Sequence, residues 1–371
     1  MSKVDHIARI LTTRIKNGDY ALHSMPPIRQ LCTELSVNHI TLRKSIKALL
    51  ERGLLIRGEN GRFTVATHSP GSLTTARIAM LSPAFSSPFL QSMKFLIEHV
   101  AREFMAEVIV VDYIHWDDPV IIATLNKFNG VFVIPTSEKM PEHVEDLFVN
   151  STCPVVMIDY DMSDKGVVSL KLLTLEHIVN LIGHLVDLGH KKIDCLNTHP
   201  FDRVSQERIA GWELALKKYG VNGQLIDTPV EPYQQPMHKA YDVVERLWGA
   251  GRLTGTALFC TVQATAIGAM RAFKDDGVEV GRQISVCAGA DEGLGEYLHL
   301  SLTSIKLPDI KPQIHECIQW FVRGGRWEHD MYWQPKSVSI FTGESTGPVM
   351  PEESQVSAPR SRKLEAILPS T

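Results

Sequence analysis

From Arg77 to Cys287 short apolar runs alternate with longer amphipathic stretches, and that alternation restricts the chain to a narrow set of architectures. Arg77–Leu81, Glu107–Asp112, Val131–Ile134 and Val155–Ile158 read as strands. Phe89–Phe104, Pro119–Phe128 and Glu142–Val149 read as helices between them. After a break near Ser163–Val168 the pattern restarts. Helices are expected at Thr174–Leu188, Val204–Tyr219, Lys239–Trp248 and Ala264–Lys274, and strands at Lys192–Cys195, Ala257–Cys260 and Ser285–Cys287. Continuous apolar runs joined by helices belong to parallel strands buried on both faces. Two successive α/β units imply two lobes, with a ligand cleft at the carboxyl ends of the strands.

The first 66 residues follow a different period. Val4, Ile7, Ala8, Leu11 and Ile15 share one face of a helix from Lys3 to Lys16, ended by Asn17-Gly18-Asp19. Pro26-Pro27 opens a second helix that buries Ile28, Leu31, Cys32 and Leu35. Ser36-Val37 is the turn. In the third helix, Asn38–Leu50, Asn38 is suited to cap the first turn, and Leu42, Ile46, Leu49 and Leu50 form an apolar stripe. Arg43, Lys44 and Lys47 lie on the other faces. Leu54–Arg57 and Arg62–Val65 are two strands around Gly58-Glu59-Asn60-Gly61, a wing. A short helix that is apolar on one side and basic on the other suits a major groove, where first-turn residues meet base edges and cations meet phosphate.

Charge supports this division. Residues 1–68 hold eleven Lys/Arg against five Asp/Glu, and with a total of −4 the remainder carries −10. A basic module on an acidic body is a nucleic-acid signal. The six cysteines form no Cys-x-x-Cys and no Cys/His cluster, and several lie in apolar runs, as in a reducing compartment. Asp5, His6 and Arg9 interrupt any apolar leader, and no run of apolar residues is long enough to span a membrane. The expected location is the cytoplasm. Ala66–Thr75, broken by Pro70-Gly71, reads as a linker, with the body beginning at Arg77. Residues 349–371 are polar and contain Pro and Ser, as in a disordered tail.

The N-terminal words Ile15-x-x-Gly18, Met25-Pro26-x-x-Arg29-x-Leu31, Val37-Asn38-x-x-Thr41-Leu42-Arg43, Leu50-x-x-Gly53-Leu54-Leu55 and Gly61-x-Phe63-x-Val65 resemble the DNA-binding domain of the GntR family. The resemblance implies that Arg29, Asn38, His39, Thr41, Arg43 and Gly61 contact DNA, with Lys44 and Lys47 beside them. Pro27 stands where the family usually has a capping Ser or Thr, His39 where it has arginine, and Glu59 replaces the first wing glycine. Histidine lacks the bidentate fork that reads guanine, so the docking mode carries over and the operator sequence does not.

The body is similar to the LacI/GalR repressor core, a periplasmic-binding-protein-like type I fold. The similarity lies in Leu188-Gly189-His190-Lys191-Lys192-Ile193, Ser205-Gln206-Glu207-Arg208-Ile209-Ala210-Gly211-Trp212, Ala266-Ile267-Gly268-Ala269, Val286-Cys287-Ala288-Gly289-Ala290-Asp291-Glu292, Leu302-Thr303-Ser304-Ile305 and Glu344-Ser345-Thr346-Gly347-Pro348. It covers nearly all of residues 77–348 and implies lobe crossings near Val168–Leu173, Thr303–Leu307 and Lys336–Ser337. It places Arg208 and Asp291 across the cleft, although Asp291 could equally cap the segment after its strand. Gln263 stands where an Asp usually precedes the helix and is a further candidate; Leu173 stands where an Asp or Asn is usual. These two changes put an ordinary monosaccharide in question. Phe85, Phe89 and Tyr233 fall on loops where the family has an aromatic wall.

Other chemistries find no support. Gly343-Glu344-Ser345-Thr346-Gly347 has the Gly-x-Ser-x-Gly spacing of esterases, but Pro348 follows where a helix should start, and no histidine follows His329. Gly289–Gly295 lacks the Lys-Ser/Thr of a phosphate loop, and His184 and His190 lack the spacing of a helical metal pair. No catalytic residue, metal or cofactor is expected.

The expected fold is therefore an N-terminal winged helix-turn-helix (α+β) plus an α/β periplasmic-binding-protein-like type I core of two lobes with parallel sheets. The expected function is that of a transcriptional repressor, a homodimer on double-stranded operator DNA, with a small effector between the lobes. The arabinose-repressor-like arrangement makes a carbohydrate the default effector. Two rivals are a regulator whose cleft binds no small molecule and a solute-binding protein. The second would carry a signal peptide where this chain has its basic module.

Overall fold

Apolar runs too short for helices become the parallel strands of two sheets. A computed structural model describes residues 3–16, 20, 25–51, 54–58, 62–65, 76–85, 87–200, 203–231 and 234–350. The expected linker, the wing-tip Gly61, Tyr233 and nearly all of the expected tail lie outside these residues.

The N-terminal module comprises α1 (Lys3–Lys16), α2 (Ile28–Glu34), α3 (His39–Glu51), β1 (Leu55–Arg57) and β2 (Phe63–Val65). Leu11, Leu31, Leu42, Ile46, Leu49 and Leu55 fill its core. Leu50, expected in the buried stripe, is only partly covered, while Ser45 is buried. The Ser45 hydroxyl lies 2.9 Å from the Val4 carbonyl of α1 and 3.1 Å from that of Thr41, so its polarity is satisfied inside the core. β1 and β2 pair antiparallel, with Arg57 opposite Phe63.

The first lobe holds β3 (Arg77–Pro83), α4 (Pro88–Glu103), β4 (Glu107–Tyr113), α5 (Pro119–Leu125), β5 (Gly130–Val133), α6 (Glu142–Val149), β6 (Val155–Ile158) and β7 (Val168–Leu170). The second holds α7 (Leu175–Asp187), β8 (Ile193–Asn197), α8 (Arg203–Tyr219), β9 (Leu225–Asp227), α9 (Pro236–Gly249), β10 (Ala257–Cys260), α10 (Gln263–Asp275), β11 (Ser285–Ala288) and β12 (Thr303–Ile305). The chain then returns to the first lobe through α11 (Lys311–Arg323) and β13 (Tyr332–Trp333), and crosses again to β14 (Ile340–Phe341).

The sheet orders are β4-β3-β5-β6-β7-β13 and β9-β8-β10-β11-β12-β14. All of these neighbours are parallel except β12 and β14. Each sheet is covered on both faces by helices, which is why its inner strands are buried from end to end.

The three crossings follow β7, β12 and β13, near the positions expected from the sequence. The reading lacks α11, β9, β13 and β14, and it marks the segments of β7 and β12 only as crossings. Leu225 of β9 is 41% exposed, and β13 and β14 are two residues long, so none carries a buried apolar run. Helix α11 buries Ile314, Cys317, Ile318 and Phe321 at helical spacing against the first lobe.

Candidate functional site: a DNA-reading helix and an inter-lobe cavity

Asn38 terminates the turn after α2, and its Oδ1 accepts the Thr41 N–H at 2.8 Å. This cap satisfies one of the donors that the start of α3 leaves unpaired. Arg29, Asn38, His39, Arg43, Lys44 and Lys47 are exposed and Thr41 is half-buried. Lys47 lies 3.8 Å from Glu51 one turn on, a pair too exposed to neutralise this face. The structure thus leaves the candidate DNA residues of α2 and α3 open to solvent, Thr41 in part. Gly61 lies outside the described residues. Gly58 N donates to Arg62 O at 2.9 Å and closes the base of the wing.

A cavity of about 620 Å³ lies between the two lobes. Its wall is built by segments that leave the carboxyl ends of the strands. Phe85 and Ser87 follow β3, Ile134–Met140 follow β5, Asp159 and Tyr160 follow β6, His199 follows β8, and Ala290 and Glu292 follow β11. Peptide groups and side chains converge there because parallel strands all end on one edge. The first turns of α8 add Arg203, Val204, Gln206 and Arg208.

Arg208 reaches the cavity, and its Nη1 donates to the Thr261 carbonyl at 2.7 Å. Gly289 makes room for it: a Cβ there would lie 2.7 Å from Thr261 O and 3.2 Å from Arg208 Cδ. Phe85 lines the cavity from a loop, as expected. Phe89 also lines it, but from the first turn of α4 rather than from a loop. Tyr233 lies outside the described residues.

Of the two readings of Asp291, ligand contact is corrected and capping holds. The residue does not line the cavity. Its Oδ1 accepts from Gln263 Nε2 at 2.9 Å, Gly293 N at 2.8 Å and Gly295 N at 3.3 Å, so it organises its own loop. Gln263 is likewise withdrawn: it is 1% exposed and spent on this bond and on the Glu292 N–H, 3.3 Å away. Leu173, in the position where the resemblance leads one to expect a polar group, packs into the core of the second lobe.

Glu292, the next residue, faces the cavity instead. Burial pushes its carboxyl above the usual range, and Arg208, His199 and the Ser87 hydroxyl oppose that rise. Ser87 Oγ donates to Glu292 Oε2 at 3.4 Å, a bond from the first lobe to the second.

Beneath the cavity, Lys171 of the first crossing sits between the lobes, its Nζ 3.4 Å from Asp159 Oδ1 and 2.6 Å from Glu207 Oε2. Burial lowers its pKa, but the two carboxylates outweigh burial and hold it above its ordinary value. Arg203 adds a second bridge, donating to Glu207 at 3.1 Å and stacking over the Tyr160 ring at 4.9 Å. Glu292, His199, Lys171 and Arg203 were not expected from the sequence. Only Glu292 lies within a quoted motif word next to an expected residue.

The remaining motifs are structural. Ser345 of the esterase-like word is fully buried, donates to Val286 O at 2.7 Å and accepts from Thr303 N at 2.9 Å. The His190 ring is held by Thr256 and Ser285 hydroxyls, each at 2.9 Å. No helix among the described residues is long and apolar enough to cross a membrane.

Comparison with known proteins agrees with this division. Residues 3–65 match the family model "Bacterial regulatory proteins, gntR family", and residues 182–322 match "Periplasmic binding protein-like domain". The chain is similar to a Bacillus subtilis (strain 168) protein named probable HTH-type transcriptional repressor ExuR. Identity is 23% over 312 residues, spanning 76% of this chain and 87% of that one. Among solved structures it resembles the lac repressor dimer bound to operator and an anti-inducer, with TM-score 0.58 and 18% identity over 76% of this chain and 99% of that one. It also resembles a sugar-binding LacI-family regulator from Escherichia coli complexed with phosphate, with TM-score 0.58 and 18% identity over 73% and 98%. A capped basic helix, a two-lobed body with a cavity between its lobes, and matched domains in this order identify the chain as a transcriptional regulator that joins a GntR-type DNA-binding domain to a periplasmic-binding-protein-like effector domain.

Proposed function

We propose that the chain is a repressor whose operator affinity is set by a small effector, a sugar or sugar derivative, held between its lobes. The observation that carries this reading is the inter-lobe cavity with Arg208, Glu292 and His199 set among the aromatic rings of Phe85, Phe89 and Tyr160. Charged and hydrogen-bonding groups among apolar walls match the hydroxyls and ring faces of a carbohydrate, and each buried polar group then demands a partner. One structural neighbour, a sugar-binding LacI-family regulator, points the same way.

A ligand touching both lobes favours one arrangement of them, and only that difference in affinity can drive a change. In a homodimer the lobes carry two winged modules, so their rearrangement alters the spacing of the two α3 helices. A two-fold dimer calls for an operator with related half-sites. In this reading Arg29, Asn38, His39, Thr41, Arg43, Lys44, Lys47 and Gly61 face DNA, and the protein works in the cytoplasm.

A thermal-shift screen against sugars, sugar phosphates, polyols and nucleosides tests the cleft, with Arg208→Ala as control. A ligand at a hundredfold excess over Kd stabilises the native state by about 2.7 kcal/mol. A compound that raises Tm in the natural protein and not in the variant supports the reading. A folded protein that responds to none of the panel favours the rival, a regulator whose cleft takes no small molecule.

A further inference from the structure

Ile40 is 67% exposed, on the second residue of α3. At 3.6 residues per turn it lines up with Arg43, Lys44 and Lys47, on the side opposite buried Leu42, Ile46 and Leu49. It is therefore the one apolar side chain at the head of a cationic stripe, projecting away from the core of its own module. A β-branched residue there weakens helix propensity and gains nothing from water. A surface flanked by three cations is repelled by a basic copy of itself and attracted to phosphate.

We infer that Ile40 is a specificity-determining residue that packs against the 5-methyl group of a thymine in the major groove. The inference rests on the assignment of α3 as the reading helix. The first turn of such a helix meets base edges while the cations behind it meet phosphate. In that groove an apolar side chain has one apolar counterpart, the thymine methyl. His39 and Thr41 flank Ile40 and supply polar contacts to neighbouring bases. The Asn38 cap holds all three in register.

The test uses the full-length protein and a duplex that it selects from a random pool. Each thymine of the selected sequence is replaced in turn by deoxyuridine, which removes only the methyl group. At one thymine the loss should weaken binding about fourfold, the worth of one buried methyl-sized group. Ile40→Ala should bind the thymine and deoxyuridine duplexes equally, with the same dependence on salt as the natural protein. This variant folds, because the side chain is exposed and alanine favours helix. Lys44→Ala should instead weaken both duplexes alike and flatten the salt dependence.

The inference is overturned if no deoxyuridine weakens binding while Lys44→Ala does, or if Ile40→Ala keeps the thymine preference. A pool that yields no common sequence removes the reading helix and this inference together. An Ile40→Ala variant that changes self-association and leaves DNA affinity intact would make Ile40 a protein contact instead.

Discussion

Gln263 Nε2 donates to Asp291 Oδ1 across 2.9 Å, and this bond ties the loop after β11 to the first residue of α10. The aspartate is turned inward and the adjacent Glu292 is presented to the cavity. Gln263→Leu keeps the volume and leaves Asp291 one donor short in a half-buried position. The expected cost is about 1–3 kcal/mol. Urea unfolding measures it, and an unchanged midpoint would show the bond to be dispensable.

Lys171 is 8% exposed and neutralises Asp159 and Glu207 from opposite lobes. Lys171→Met would leave Asp159 without its cation and Glu207 with Arg203 alone. Removing one partner of a buried pair is strongly destabilising, here about 3 kcal/mol because Glu207 remains partly hydrated. Glu207→Gln introduced into Lys171→Met should recover part of that loss. A double-mutant cycle with no coupling would contradict the network.

Acid should loosen the second lobe. Burial lowers the pKa values of His177, His184 and His190 below the ordinary 6.5. A histidine with a depressed folded pKa binds fewer protons in the native state, so its contribution is complete above pH 6.5 and is lost as pH falls through the folded value. Unfolding free energy should therefore decline with falling pH beginning near 6.5. His190→Gln should be less stable at pH 7.5 and show a shallower decline. Equal slopes in the two proteins would contradict the assignment.

Asn38→Ala removes the cap of α3 and should cost about 1 kcal/mol in the winged module. Amide exchange at Thr41, whose N–H the cap receives, should accelerate while exchange in β10 stays unchanged. Uniform protection at both places would mean that the cap carries no stability.

The parts of this protein legible in the sequence are those in which burial writes a pattern. Val155–Ile158 and Ala257–Cys260 are strands with the very ends expected, because a parallel strand buried on both faces is an unbroken apolar run. β9, β13 and β14 are held by backbone pairing at sheet edges and leave no such mark. Arg208 was legible through its Ser-x-x-Arg-x-x-Gly word. Glu292 was not, because the choice between two adjacent acids depends on a loop turned by Gln263, a contact 28 residues away in sequence. The inter-lobe ion network was equally silent, since Asp159, Lys171 and Glu207 meet only after the chain crosses between lobes.

In the proposed function a small molecule between the lobes controls operator binding. The direct measurement is fluorescence anisotropy of a duplex selected by the protein, titrated with natural protein and with Arg208→Ala in the presence of each member of the carbohydrate panel. At least one compound should shift operator affinity for the natural protein by tenfold or more, about 1.4 kcal/mol of coupling, and leave Arg208→Ala unmoved. Tight operator binding that no compound alters, or an equal shift in the variant, would contradict it.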